Sequence, residues 1–204
     1  MVALGFSVVG AARVEYAAVP MLRFALRVQS EVPVRSVLLD VQVQIAARRR
    51  GYDAAAHDRL FELFGPVADW GTTLRTLLWT RTTLVVPGFD GSTTVDLDVP
   101  CSYDLEVAAS RYLDALSDGV VPLEFLFSGS VFYDQDGALQ TTRLSWESEA
   151  AYALPVSVWK ETMERYFRGT AWVRLSKDSF DRLSAYKSRN ALATWDDALA
   201  SLGL

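Results

Sequence analysis

The stretch MLRFALRVQ, residues 21–29, alternates without a break. Leu22, Phe24, Leu26 and Val28 point one way, and Arg23, Arg27 and Gln29 the other. Successive side chains of a strand leave on opposite faces, so this is a half-buried strand with one wet side. SVLLDVQVQIA, residues 36–46, repeats the pattern with Val37, Leu39, Val41, Val43 and Ile45 set against Asp40, Gln42 and Gln44. The short turn SEVPVR between them predicts an antiparallel pair. A second such pair is expected further on. TLLWTRTTLVVP reads as a strand, Asp90-Gly91 as its hairpin signal, and TTVDLDV as the returning strand.

Two segments break the rhythm. DAAAHDRLFELF, residues 53–64, reads as a short helix stopped by Gly65 and Pro66. In VPCSYDLEVAASRYLDAL, residues 99–116, Leu105, Ala108, Ala109, Tyr112, Leu113 and Leu116 fall on one helical face. Ser102 is the expected cap, with Asp104 and Glu106 complementing the dipole. After it, VVPLEFLFSGSVFY and ALQTTRLSW flank DQDG as another hairpin. Three helical patterns close the chain, begun by Pro155, by Ser176 and by a capping box from Thr194 to Asp197. AWVRL, residues 171–175, is expected to add an edge strand. The sum is an α+β protein: an antiparallel sheet, either a single curled sheet or a sandwich, with helices packed on one face and a helical C-terminal part. With 204 residues and no linker or repeat, one domain over 1–204 is expected, β-rich over 1–100 and mixed over 101–204.

Charge and chemistry exclude more than they name. The formal net charge is −5, and the one basic run, Arg48-Arg49-Arg50, ends a strand pattern and reads as a solvated strand end. Nucleic-acid binding, which needs clustered cations, is not expected. MVALGFSVVGAAR lacks the basic flank of a signal peptide and reads as a first strand, and no window is long enough to span a bilayer. The expected location is cytoplasmic, which suits a chain with one cysteine.

That cysteine, Cys101, stands at the mouth of the predicted 105–116 helix, where a dipole favours thiolate while Asp104 and Glu106 oppose it. A nucleophilic cysteine normally needs a base, and the single histidine, His57, lies in another segment. Cys101 is therefore read as a small buried filler and kept as a weak reactive candidate. One Cys and one His cannot compose the usual zinc, iron–sulfur or haem site. The acid pairs Asp96/Asp98, Asp134/Asp136 and Glu147/Glu149 form no motif, and DQDG lacks the later ligands of a calcium loop. Glycine-rich phosphate loops and the GxSxG elbow are absent. No catalytic residue, metal or cofactor is expected. The surplus is aromatic, and Trp79, Phe132, Tyr133 and Trp146 are the candidates for a partner-binding surface.

The run from Val85 to Tyr133, with LFGPVADWGTTLRTLLWT before it and LPVSVWKETMERYF after it, resembles an actinobacterial family that carries only a domain-of-unknown-function label. The resemblance covers nearly the whole chain. It implies a gene neighbourhood shared with uptake nickel–iron hydrogenases and their maturation factors. On that resemblance the expected function is a non-enzymatic accessory protein that assists hydrogenase assembly by binding a subunit or maturation factor, with a homo-oligomer as a further expectation. The order of strands, helix and SDGVVPLEFLF is also similar to SecB-type export chaperones, which implies as alternative a holdase for unfolded chains. A carboxylate- or Cys-dependent enzyme is the rival from another class.

Overall fold

Alternation becomes two facing sheets. The computed structural model describes residues 2–135 and 137–204. The first sheet has the order β1 (Leu4–Arg13), β2 (Met21–Ser30), β5 (Ser92–Pro100). The second runs β4 (Leu77–Phe89), β3 (Val34–Ile45), β6 (Val120–Gln135), β7 (Ala138–Arg143). The 16-residue strand β6 takes two partners in succession on one edge, β8 (Glu149–Pro155) along its first half and β7 along its second. All pairings are antiparallel. Each buried row faces the other sheet. Phe6 stacks on Phe127 with centroids 4.3 Å apart, and Phe24 meets Phe125 edge-on at 5.2 Å. Of the two expected architectures, the sandwich is the one formed.

Strand partners differ from the expected ones. β2 pairs with β1 and β5, not with β3, and β4 pairs with β3, not with β5. Both short turns carry the chain across the sandwich from one sheet to the other. Alternation specifies which face of a strand is buried and leaves its neighbour open. The two crossings are tied together where the Ser30 N–H donates to the Gly91 carbonyl at 2.9 Å. Ser30 Oγ also donates to the Val32 carbonyl at 2.7 Å, tightening the first crossing. The β6–β7 hairpin forms as read, with Gln135 opposite Ala138.

The expected helix over 53–64 is α1 (Ala54–Phe64), capped by the Asp53 carboxylate and ended by Gly65 at φ +70°. A single turn, α2 (Trp70–Thr73), follows. Then α3 (Ala108–Ala115) begins later than its apolar spacing implies. Ser102 and Asp104 do not cap it, because their side chains accept the N–H groups of Asp104 and Glu106 in local turns instead. α4 (Val156–Phe167) starts at Pro155 and buries Val156, Trp159 and Met163. Tyr103, just past β5, stacks on Phe167 of α4 at 5.0 Å. The Tyr52 ring is edge-on to Tyr112 of α3 and to Trp70. α1, α3 and α4 gather around the end of the sandwich where β5 stops and β6 starts, and Leu38, Val85 and Leu139 on the outer face of the five-stranded sheet are exposed.

Contacts gather the chain into two compact units, Met1–Ala171 and Trp172–Leu204. AWVRL forms no strand, and the extra strand is β8. The second unit is α5 (Lys177–Arg189) and α6 (Trp195–Ser201). Ser176 caps the first helix, and the Thr194–Asp197 capping box opens the second. Phe180 and Trp195 meet at 5.5 Å.

Candidate functional site

Cys101 is one residue past β5 and seven positions before α3, so it does not stand at the mouth of that helix. Its N–H donates to the Pro20 carbonyl at 2.8 Å, and the thiol faces the Val99 carbonyl at 3.6 Å. It is 7% exposed. Burial pushes the thiol up to about 12, so thiolate is scarce at neutral pH. His57 sits on α1 with its ring edge-on to Trp70 at 5.0 Å. Among the described residues no three His, Cys, Asp or Glu side chains gather as a metal ion requires.

Of the acid pairs, Asp96/Asp98 serves a strand surface, and Glu147 lies in the loop before β8 while Glu149 opens that strand. Arg23 holds Asp98 through two bonds of 2.7 and 2.8 Å and Asp96 at 2.9 Å, a cross-strand clamp on the open side of β2 and β5. Those two carboxylates hold the Arg23 guanidinium well above its ordinary value. Asp134 pairs with Arg35 at 2.5 Å, while its expected companion Asp136 lies outside the described residues. The arginine triplet lies just past the end of β3, with Arg48 and Arg49 exposed as read, and each side chain has a partner. Arg48 donates to the Leu74 carbonyl, Arg49 pairs with Glu124 at 2.7 Å, and Arg50 donates to the carbonyls of Val120 and Asp118.

The four aromatic candidates separate. Trp79 is the extra residue where the β3–β4 register shifts after Val43, and its ring meets Phe24 edge-on at 6.2 Å on the inner side. Tyr133 pairs with buried Val34 and packs on the core. Phe132 pairs with Ser36 and therefore lies on the outer face. Trp146 is 90% exposed, at the tip of the loop that leaves the sheet edge between β7 and β8. That loop is anchored at both ends: Leu144 N–H donates to Gly129 O at 3.1 Å, and Phe127 N–H to Ser148 O at 2.9 Å. A Ser145–Ser148 turn closes it at 3.1 Å.

Sequence reasoning missed the rest of this surface. Leu38 is 45% exposed and lies opposite Val85, itself 62% exposed. The next row holds Pro87, Ser36 and Phe132, and Leu139 follows at 65% exposure. Arg35, Ser36, Phe132, Asp134 and Leu139 line a shallow hollow of about 440 Å³. The signal was present: Leu38 stands between Ser36 and Asp40, and Val85 beyond Arg81 and Thr83, both in the polar register of their strands. Further along the same face a second hollow of about 470 Å³ is polar, lined by Asp40, Gln42, Arg81, Thr83 and Ser128 around Leu126. Thr83 Oγ1 donates to Asp40 there at 2.6 Å. The face thus has an apolar half and a hydrogen-bonding half, a mixture suited to holding a protein surface.

A family model described as a family of unknown function (DUF6084) matches residues 1–203. No curated protein sequence matches the chain. Among solved structures, the CARDB domain of the PF1109 protein from Pyrococcus furiosus, in complex with di-metal ions, is similar at 9% identity and a TM-score of 0.28. That match covers 76% of this chain and 92% of that one. A β-glucosidase from Kluyveromyces marxianus is similar at 14% identity and a TM-score of 0.24, and β-glucosidase 3B from Thermotoga neapolitana at 11% and 0.26. Each of those two matches covers 74% of this chain and only 15% and 17% of the respective enzyme.

Proposed function

The chain belongs to this family of unknown function, and we propose that it is a non-enzymatic accessory protein that holds a protein client on the outer face of its five-stranded sheet. We assign the client as a subunit or maturation factor of an uptake nickel–iron hydrogenase, on the gene neighbourhood implied by the resemblance. The observation that carries the binding role is the exposure of Leu38 and Val85, opposite each other on the outer face, and of Leu139 two rows further along, with Phe132 in the hollow between them and Trp146 at the sheet edge. Contiguous apolar side chains left in water mark interaction surfaces, and an exposed tryptophan is a strong anchor. Most of these groups stand on paired strands, so little is lost in ordering them on binding.

A SecB-like holding activity toward unfolded chains would use the same surface and differs in selectivity. An enzyme built on Cys101 finds less support, since that thiol is buried and protonated. The test is isolation of the tagged protein from cells producing their hydrogenase, with mass spectrometry of the eluate. A stoichiometric hydrogenase subunit or maturation factor is the expected result. Recovery of unrelated unfolded proteins in its place favours the holding activity, and an eluate with no protein companion overturns the binding role.

A further inference from the structure

We propose that the edge of β7 facing away from β6, unpaired among the described residues, pairs with β7 of a second copy, joining two five-stranded sheets about a two-fold axis into one continuous sheet. This inference concerns the sheet edge and stands whether or not the outer face holds a client.

Natural edge strands are normally guarded, because unpaired N–H and C=O groups invite another strand. β1 carries a register shift between Val8 and Gly10 and runs beside β8. β4 carries Pro87 and the register shift at Trp79, and lies along β5. β7, with the sequence ALQTTR, has no proline, no glycine, no acid and no register shift over its six residues. Its pairing is with β6, and five of the six residues are exposed.

The phase of its backbone follows from two observations. Arg143 lies opposite Ser130, so Leu144 lies opposite Gly129, and the Leu144 N–H donates to the Gly129 carbonyl. In an antiparallel ladder hydrogen-bonded pairs alternate, so Ala138, Gln140 and Thr142 bond toward β6. Leu139, Thr141 and Arg143 then direct their N–H and C=O groups away from the sheet. Their side chains share the outer face, because Thr141 is opposite Phe132 and Leu139 opposite Asp134.

Two such edges are self-complementary. With Thr141 opposite Thr141 of the second copy, Leu139 meets Arg143 at both ends, and all three outward-facing residues of each strand are paired. The arrangement keeps both outer faces on one side. Threonine pairs are favourable cross-strand neighbours. Arg143 of each copy comes to lie two strands from Asp134 of the other, a carboxylate that already pairs with Arg35, so charge adds little and the backbone ladder carries the contact. The shared surface is small, and dimerisation is expected to be weak, with Kd on the order of 10–100 µM.

Sedimentation of the full chain across a wide concentration range reads the dimer. Thr141→Pro removes a donor that β6 does not use, so it should leave the circular dichroism and melting of the fold unchanged and weaken dimerisation at least tenfold. Thr141→Cys supplies a second reading, because opposed residues in a hydrogen-bonded pair lie about 5.5 Å apart at Cα, within disulfide reach. Under mild oxidation it should form a covalent dimer, while Glu31→Cys, exposed at a sheet crossing, should not. A chain that stays monomeric at every concentration, or a dimer that Thr141→Pro leaves equally strong, overturns the proposal.

Discussion

The carbonyl oxygen of Leu38 lies 2.0 Å from the position a Cβ on Gly129 would occupy, and Gly129 itself holds φ at +144°. No side chain fits there. This close approach of β3 and β6 occurs where β6 exchanges β8 for β7 and where the Trp146 loop leaves the edge. Leu38, one of the exposed residues of the outer face, therefore owes its backbone position to a missing side chain on its neighbour.

Gly129→Ala should destabilise the protein by about 2–4 kcal/mol, from the strained dihedral and the forced separation of the two strands. Gly51→Ala, with nothing within 4 Å of the added Cβ, is the control and should stay within about 0.5 kcal/mol of the parent. Urea unfolding followed by tryptophan fluorescence measures both.

The hydroxyls of Tyr52 and Tyr112 are 2.7 Å apart, and Tyr52 also reaches the Ala47 carbonyl at 2.6 Å. With Tyr52 donating to that carbonyl, Tyr112 must donate to Tyr52. Tyr52→Phe takes from the buried Tyr112 hydroxyl its acceptor, while the Ala47 carbonyl keeps the Arg50 N–H at 3.4 Å, and should cost about 1–3 kcal/mol. Tyr112→Phe leaves Tyr52 its acceptor and should cost about 0.5–1.5 kcal/mol. Chemical unfolding of the two variants decides the order.

The Cys101 thiol is shifted from an ordinary 9.0 up to about 12 by burial. A raised pKa favours the protonated folded form, so this contribution to stability is complete below about pH 9 and is lost as pH rises toward 12. In the native protein below pH 9, a thiol reagent should label Cys101 only at the rate of opening, and denaturant should accelerate labelling. Fast labelling without denaturant would place the thiol at the surface.

The capping box of α6 makes an opposite prediction for acid. Hydrogen bonds from Thr194 hold the Asp197 carboxyl below its ordinary value of 3.8. Its stabilising effect is therefore present above that value and fades as pH falls through it and below. Amide exchange at Thr194 and Asp197 should rise over that acid range. Thr194→Ala should remove the cap at neutral pH, at a cost to the helix of about 1 kcal/mol.

Much of the core was legible because burial follows the period of two. Leu22, Phe24, Leu26 and Val28, and Val37 through Ile45, are buried in the rows that alternation assigns. Partnership was not legible. Asp90-Gly91 is as good a signal for a crossing between sheets as for a hairpin, and only the facing of Phe24 on Phe125 shows why. Local competition also hid the start of α3, since Ser102 and Asp104 turn the backbone rather than cap the helix. Of the aromatic candidates, Trp79 was lost to a one-residue register shift that turns it inward. Leu38 and Val85 could have been found as apolar residues standing in polar registers.

The proposed role of the outer face and the Trp146 loop is to hold a hydrogenase-associated client. The most direct measurement compares the amount of client recovered with tagged wild-type protein, with Leu38→Glu/Val85→Glu and with Trp146→Ser, in cells producing their hydrogenase. Each variant is first matched to the parent by circular dichroism and thermal melting. At least a tenfold loss of recovered client is expected for the double variant and a clear loss for Trp146→Ser, with the fold intact. Undiminished recovery with both folded variants would contradict that role.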